Sequence, residues 1–348
     1  LSNSAFSQSE FSHSRRNNLT RLSARFASLA ALAALSLSAL AASAQQPVPD
    51  APAPDAAMAA APVVAAPVFP KPNPADFTAA GPTKEAIDTF FRLNWGFDEN
   101  RVWQIQAIKK TAIEGISKAT LLVAEKGAKM DPQSISFLIA VDGKHIISGD
   151  DILRSDEHPY AENRALLQQR ADGPYRGSAA KDLEIVEFSD LQCPHCKEAQ
   201  ANMDKLAVDF PKARIVFQNL PLPMHTAAAQ AAAYGVCVSK QGGSDAFFTY
   251  VSAVFDGQDG LATADGAALT LNSAVTKAGL DPTKIAACAA LPETVANIEA
   301  SKKLAVDLEI NATPTLAVNG RLVPANIPYD TIKKIIQFQA KLDGVAAQ

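Results

Sequence analysis

Apolar residues recur at helical spacing at Ile87, Phe90 and Phe91, directly behind Thr83, a residue suited to capping a helix start. The spacing predicts a helix there. Short strand-like runs follow at 102–108, 120–124 and 134–141. Asp142-Gly143 is a hairpin dipeptide and leads into His145-Ile146-Ile147-Ser148-Gly149. A second helix begins near Tyr160, with Leu166 and Leu167 as apolar anchors, and ends by Asp172-Gly173-Pro174. These elements make a small α+β domain over 83–176.

The pattern then changes. Leu183 to Phe188 reads as a strand, and Pro194 to Phe210 as a helix with Ala199, Met203 and Leu206 on one face. Arg214 to Gln218 is a second strand, followed by an Ala-rich helical stretch from about Met224 to Val306. Thr315–Asn319 and Arg321–Val323 form a hairpin around Asn319-Gly320, and Tyr329 to Leu342 closes the chain as a helix. The order is β-α-β, then helices at about 222–306, then β-β-α. That is an α/β class chain with a thioredoxin fold and an inserted helical domain over 177–348, preceded by the small α+β domain.

The first 44 residues carry a different message. Arg15, Arg16, Arg21 and Arg25 precede an apolar run from Phe26 to Ala42, and Ala42-Ser43-Ala44 supplies small residues where a signal peptidase reads. The expectation is a signal peptide over 1–44, cleaved before Gln45, with Sec export ranked ahead of the twin-arginine route that Arg15-Arg16 suggests. Residues 45–82 are dominated by Pro and Ala and read as an extended linker without a core of its own. The expected location is therefore the periplasm or another extracytoplasmic compartment. With 348 residues and a net charge of only −4, nothing points to nucleic acid or an anionic membrane as a partner.

Export makes the four cysteines meaningful. The strand ending at Phe188 leads through Ser189-Asp190-Leu191-Gln192 to Cys193-Pro194-His195-Cys196, so Cys193 sits where a helix starts. Unpaired backbone N–H groups and the positive end of the helix dipole favour its thiolate. Cys196, one turn on, is placed to resolve a mixed disulfide. Pro194 occupies the first turn, where its missing N–H costs nothing. His195 is expected to stabilise the thiolate further, making the disulfide oxidising. A zinc site would need a second pair of ligands at suitable spacing, and a c-type haem site would need His after the second cysteine, where this chain has Lys197. No metal and no cofactor are expected.

Glu187 to Cys196 resembles the active-site segment of the DsbA family of thiol–disulfide oxidoreductases, and Thr313-Pro314-Thr315 resembles the cis-proline loop of thioredoxin-like proteins. The resemblance implies that Pro314 is cis, lies beside the cysteines and, with Thr313, helps hold an extended substrate strand. It also implies a proton-relay role for Glu187 toward Cys196; the residue pattern alone equally allows an exposed strand residue. Asp190 reads as a turn residue and His225 as a helix-start or packing residue. Cys237 and Cys288 are expected to form a structural disulfide, two buried free thiols being the alternative. Residues 108–115 and 141–149 resemble the N-terminal domain of DsbC-type isomerases, which implies a homodimer. The resemblances imply exported protein substrates and a membrane redox partner, with an oxidase favoured over a dimeric isomerase or a chaperone-like binding module.

Overall fold

The computed structural model describes residues 67–348 other than 129, 141, 143, 149–150, 155–157 and 348. The expected signal peptide and residues 45–66 of the expected linker lie outside the described residues.

Helix α1 (Lys84–Trp95) begins where the Thr83 hydroxyl accepts the Ala86 N–H at 3.2 Å, satisfying one of the N–H groups a helix start leaves open. Its apolar stripe, Ile87, Phe90 and Phe91, packs on an antiparallel meander. The strands are β1 (Arg101–Lys110), β2 (Ser117–Glu125), β3 (Gln133–Ile139), β4 (His145–Ser148) and β5 (Asp151–Arg154), paired in that order. Ala119 and Leu121 of β2 alternate toward α1, as a sheet with one covered face requires. Strand β5 escapes the sequence reading because four residues are too few to show an alternation.

In the second half, α2 (Ala161–Arg170) and β6 (Tyr175–Gly177) precede β7 (Glu184–Ser189), α3 (Pro194–Asp209) and β8 (Arg214–Asn219). Four helices follow: α4 (Ala228–Asp256), α5 (Ala264–Lys277), α6 (Pro282–Ala289) and α7 (Pro292–Asp307). The chain ends with β9 (Thr315–Val318), β10 (Arg321–Pro324) and α8 (Tyr329–Leu342). The sheet order is β10-β9-β7-β8-β6, with β7 and β8 parallel and the other pairs antiparallel. Every residue of β7 and β8 is buried because helices cover both faces. On one face α3 and α8 set Met203, Leu206 and Ile336 against Ile185 and Ile215. On the other, α2 and the end of α7 set Leu167, Leu304 and Ala305 against Val186, Phe188 and Val216.

Helix α2 and residues 175–176, placed by sequence in the small unit, pack with the second sheet: Leu167 joins its core and β6 pairs with β8. Gly173 marks this close approach, since a Cβ there would lie 1.9 Å from the Phe217 carbonyl oxygen. The Ala-rich stretch is four helices: the first is kinked at Gly243 and the second ends before Gly279, both glycines in positive φ, and the last two start at Pro282 and Pro292. Its last helix also packs on the sheet, through Leu304 and Ala305.

Arg321 connects the two sheets' surroundings. It is 5% exposed, donates to the carbonyls of Leu93 and Asn94 at the end of α1, and bonds Gln339 of α8 at 2.9 Å. Within the helical part, Cys237 of α4 and Cys288 of α6 are joined as a disulfide, their Cα atoms 5.9 Å apart.

Candidate active site

The site is built where β7 runs out. Asp190-Leu191-Gln192 turns the chain, and the Cys193 N–H donates to the Asp190 carbonyl at 3.0 Å. Cys193 is the N-cap of α3, in extended backbone conformation, and Pro194 takes the first helical position. The Cys193 carbonyl accepts the N–H groups of Cys196 and Lys197 at 3.1 and 3.2 Å, which closes the first turn. The Asp190 N–H points at the Cys196 sulfur, 3.4 Å away.

Both cysteines are free thiols and both are buried, Cys193 at 4% and Cys196 at 0% exposure. They differ in environment. The Cys196 thiol, hydrogen-bonded to the Cys193 sulfur, lowers the Cys193 pKa well below the ordinary thiol range against the opposing effect of burial. Thr313 and the N–H groups of Cys196 and His195 act in the same direction. Cys196 is pushed up, first by burial and then by the neighbouring Cys193 sulfur. The pair therefore sets a thiol biased toward the thiolate beside one biased toward the protonated form.

Thr313 and Pro314 close the site from the start of β9. The Cys193 sulfur lies 3.8 Å from the Thr313 carbonyl oxygen, and the Thr313–Pro314 peptide is cis. His195 is on the outer face of α3. Its Nδ1 is 3.0 Å from Glu198, which is the main reason its pKa is raised, the Cys193 charge contributing less.

Glu187 faces α3. Glu184 and Glu187 are three residues apart on β7 and so face opposite sides of the sheet, yet each is 2% exposed, because both faces are covered. The Gln200 amide donates to the Glu187 carboxyl at 3.1 Å and reaches the Cys196 carbonyl at 3.4 Å. Burial raises the Glu187 pKa from 4.5 to about 7.

Asp190 does more than turn the chain. It is 1% exposed and accepts the N–H groups of Gln192 and Leu222 at 2.7 and 2.8 Å. The same carboxylate lies 2.8 Å from His225 Nδ1, so His225 and Asp190 join the active-site turn to the start of the helical part. Sequence reasoning gives Gln200 no role, and its spacing one turn beyond Cys196 is the only local signal it carries. The Cys237–Cys288 bridge is separate from the reacting pair. Among the described residues no three His, Cys, Asp or Glu side chains cluster as metal ligands would.

Residues 169–338 match the family model described as Thioredoxin. A curated relative, the Na(+)/H(+) antiporter NhaA 3 of Salinispora tropica, is 29% identical over 153 residues, which is 42% of this chain and 21% of that protein. The chain thus spans about a fifth of the length of this relative. Among the described residues no helix is long and apolar enough to cross a membrane. Among solved structures, a thioredoxin-like oxidoreductase from Silicibacter pomeroyi is 24% identical, with 51% of this chain and 98% of that one covered at a TM-score of 0.44. The thiol-disulfide exchange protein alpha-DsbA2 from Wolbachia pipientis is 20% identical, with 51% and 95% covered at a TM-score of 0.44.

Proposed function

From the match of residues 169–338 to the Thioredoxin family model and a free Cys193–Cys196 pair at a helix start, we propose that this protein is an exported thiol–disulfide oxidoreductase. It exchanges disulfides with secreted protein substrates, and net oxidation is favoured over isomerisation. The observation that carries the reading is the opposed environment of the two thiols. Cys193 is held toward the thiolate and Cys196 toward the thiol.

In the oxidising direction a substrate thiolate attacks the Cys193 sulfur of the oxidised pair. The Cys193–Cys196 bond breaks, and Cys196 leaves as a thiolate that takes up a proton. A second substrate thiolate then attacks the substrate sulfur of the mixed disulfide, forming the substrate disulfide and releasing Cys193 as a stabilised thiolate. A low thiolate pKa at Cys193 favours this last release, which supports oxidation as the net direction. Glu187 relays protons to and from Cys196. Thr313 and Pro314 receive the extended substrate beside the sulfur. A membrane redox partner takes the two electrons and restores the disulfide.

A dimeric disulfide isomerase is the second reading. It is favoured by the separate antiparallel sheet with α1 on one face, which would serve as a dimerisation module.

The test is a pair of assays on the purified protein and its Cys193→Ala and Cys196→Ala variants. Rapid oxidation of a fully reduced substrate, lost in Cys193→Ala, supports the oxidase. Recovery of a scrambled substrate with trace reductant, together with a dimer in sedimentation, supports the isomerase. Equal behaviour of parent and Cys193→Ala in both assays removes the redox reading.

A further inference from the structure

We propose that Gln258, in the helical part, is a positioning residue for Cys193 that helps hold it as a thiolate; this deepens the disulfide-exchange reading and rests on it. Gln258 opens a short 3-10 turn between α4 and α5, Gln258–Ala262, and is 9% exposed. Its amide nitrogen donates to two carbonyls at once, Leu191 at 3.1 Å and Cys193 at 3.0 Å. Gln192 answers from the active-site turn. Its amide nitrogen donates to the Leu261 carbonyl at 3.1 Å and its oxygen accepts the Ala227 N–H at 2.7 Å. Two glutamines thus fasten the turn that carries Cys193 to the helical part by reciprocal hydrogen bonds. Leu261, 1% exposed, packs in the same apolar cluster as Cys193 and Cys196.

The placement has an electrostatic consequence. The Leu191 and Cys193 carbonyls flank the reactive residue and present the negative ends of their dipoles in a poorly hydrated site. Helix α3 offsets part of this through the N–H groups of Cys196 and Lys197, which donate to the Cys193 carbonyl. Gln258 adds a side-chain donor to both carbonyls. Without its N–H groups the carbonyls lose a buried partner and the potential at the Cys193 sulfur becomes more negative. The thiol is then favoured over the thiolate, the reduced pair loses stabilisation, and the disulfide becomes a weaker oxidant.

The experiment uses the whole protein with three substitutions. Gln258→Met keeps the length and removes both donors. Gln258→Glu, when ionised, turns oxygens toward the carbonyls. Leu261→Ala loosens the same packing but keeps the hydrogen bonds, since Leu261 contributes only its backbone carbonyl. Two quantities are read: the pH dependence of Cys193 alkylation by iodoacetamide, and the redox equilibrium with glutathione.

In Gln258→Met the Cys193 titration should move up by about one unit, a ~tenfold fall in thiolate fraction well below the parent midpoint. The glutathione equilibrium should shift toward the protein disulfide by a similar factor. Gln258→Glu should move both further in the same direction. Leu261→Ala should melt lower yet keep the parent titration and equilibrium. The proposal is overturned if the Gln258 variants titrate as the parent does, or if Leu261→Ala moves the titration as far as they do. Should Gln258→Met not fold, Gln258→Glu against Leu261→Ala decides alone. A parent Cys193 that titrates as an ordinary thiol would instead remove the disulfide-exchange reading itself.

Discussion

The Glu187 carboxyl lies 3.1 Å from the amide nitrogen of Gln200, and that nitrogen also reaches the Cys196 carbonyl at 3.4 Å. A single side-chain amide on α3 thus connects a buried acid of β7 to Cys196. Burial drives the Glu187 pKa from 4.5 to about 7, with the Gln200 hydrogen bond and the Arg176 charge opposing it. At neutral pH this carboxyl can both give and take a proton, which is what a relay requires.

A raised carboxyl pKa has a stability consequence with a definite sign. Below about 4.5 the carboxyl is protonated in the folded and the unfolded chain, and its contribution is fully present. As pH rises through about 7 that contribution is lost, because the unfolded chain ionises first. The loss is on the order of 3 kcal/mol. Glu187→Gln should therefore melt above the parent at pH ~8 and close to it at pH ~4. The same variant should slow resolution of a Cys193 mixed disulfide by ~100-fold, the usual scale of general acid–base help. Equal melting of both proteins across the range would show that the ionised carboxyl is tolerated.

Selective chemistry at the pair is a second outcome. In the reduced protein, iodoacetamide at a pH below the ordinary thiol value of about 8.5 should label Cys193 and leave Cys196 unmodified. The cause is the depressed Cys193 pKa beside a Cys196 that burial holds as the thiol. Peptide mapping by mass spectrometry reads this directly. Labelling of Cys196 at a comparable rate would contradict the opposed environments.

The Cys237–Cys288 bridge spans a sequence separation of 51 and ties α4 to α6. Replacing both cysteines by Ala frees that loop in the unfolded chain, with an expected cost of about 4 kcal/mol. Denaturant titration should show the loss, while Cys193 alkylation should be unchanged because the bridge sulfurs lie beside Thr294, in α7.

Arg321→Met tests what connects the first helix to the second sheet. Arg321 is buried with the carbonyls of Leu93 and Asn94 and the Gln339 side chain as acceptors, and it stacks over the Tyr160 ring at 4.5 Å. Methionine fills much of the volume and leaves those acceptors unpaired, at a cost of about 3 kcal/mol. Limited proteolysis should then cut first near the end of α1, and the parent should resist under the same conditions.

Much of the site can be read from neighbouring residues. Cys193 as N-cap, Pro194 in the first turn, Thr83 capping α1 and the Asn319-Gly320 hairpin are short-range features, since caps and turns are made within a few residues. Sequence by itself determined these and the order of the main strands and helices, and it set Cys193 and Cys196 at a helix start. It failed where an element is short, as with β5, or where a glycine serves a close approach, as Gly173 does against Phe217.

The tertiary structure decided the rest. Glu187 and Glu184 are both buried because two helical layers cover the sheet, a fact that strand parity cannot contain. Asp190, Gln192 and Gln258 look like ordinary polar residues until contacts across separations of 32 to 69 residues give each a hydrogen-bond partner. Backbone periodicity and capping act over one or two turns and are written in adjacent residues. The proton affinity of a carboxyl or thiol, and the value of an amide that satisfies two carbonyls, depend on how completely water is excluded, which the chain achieves only once its layers are assembled.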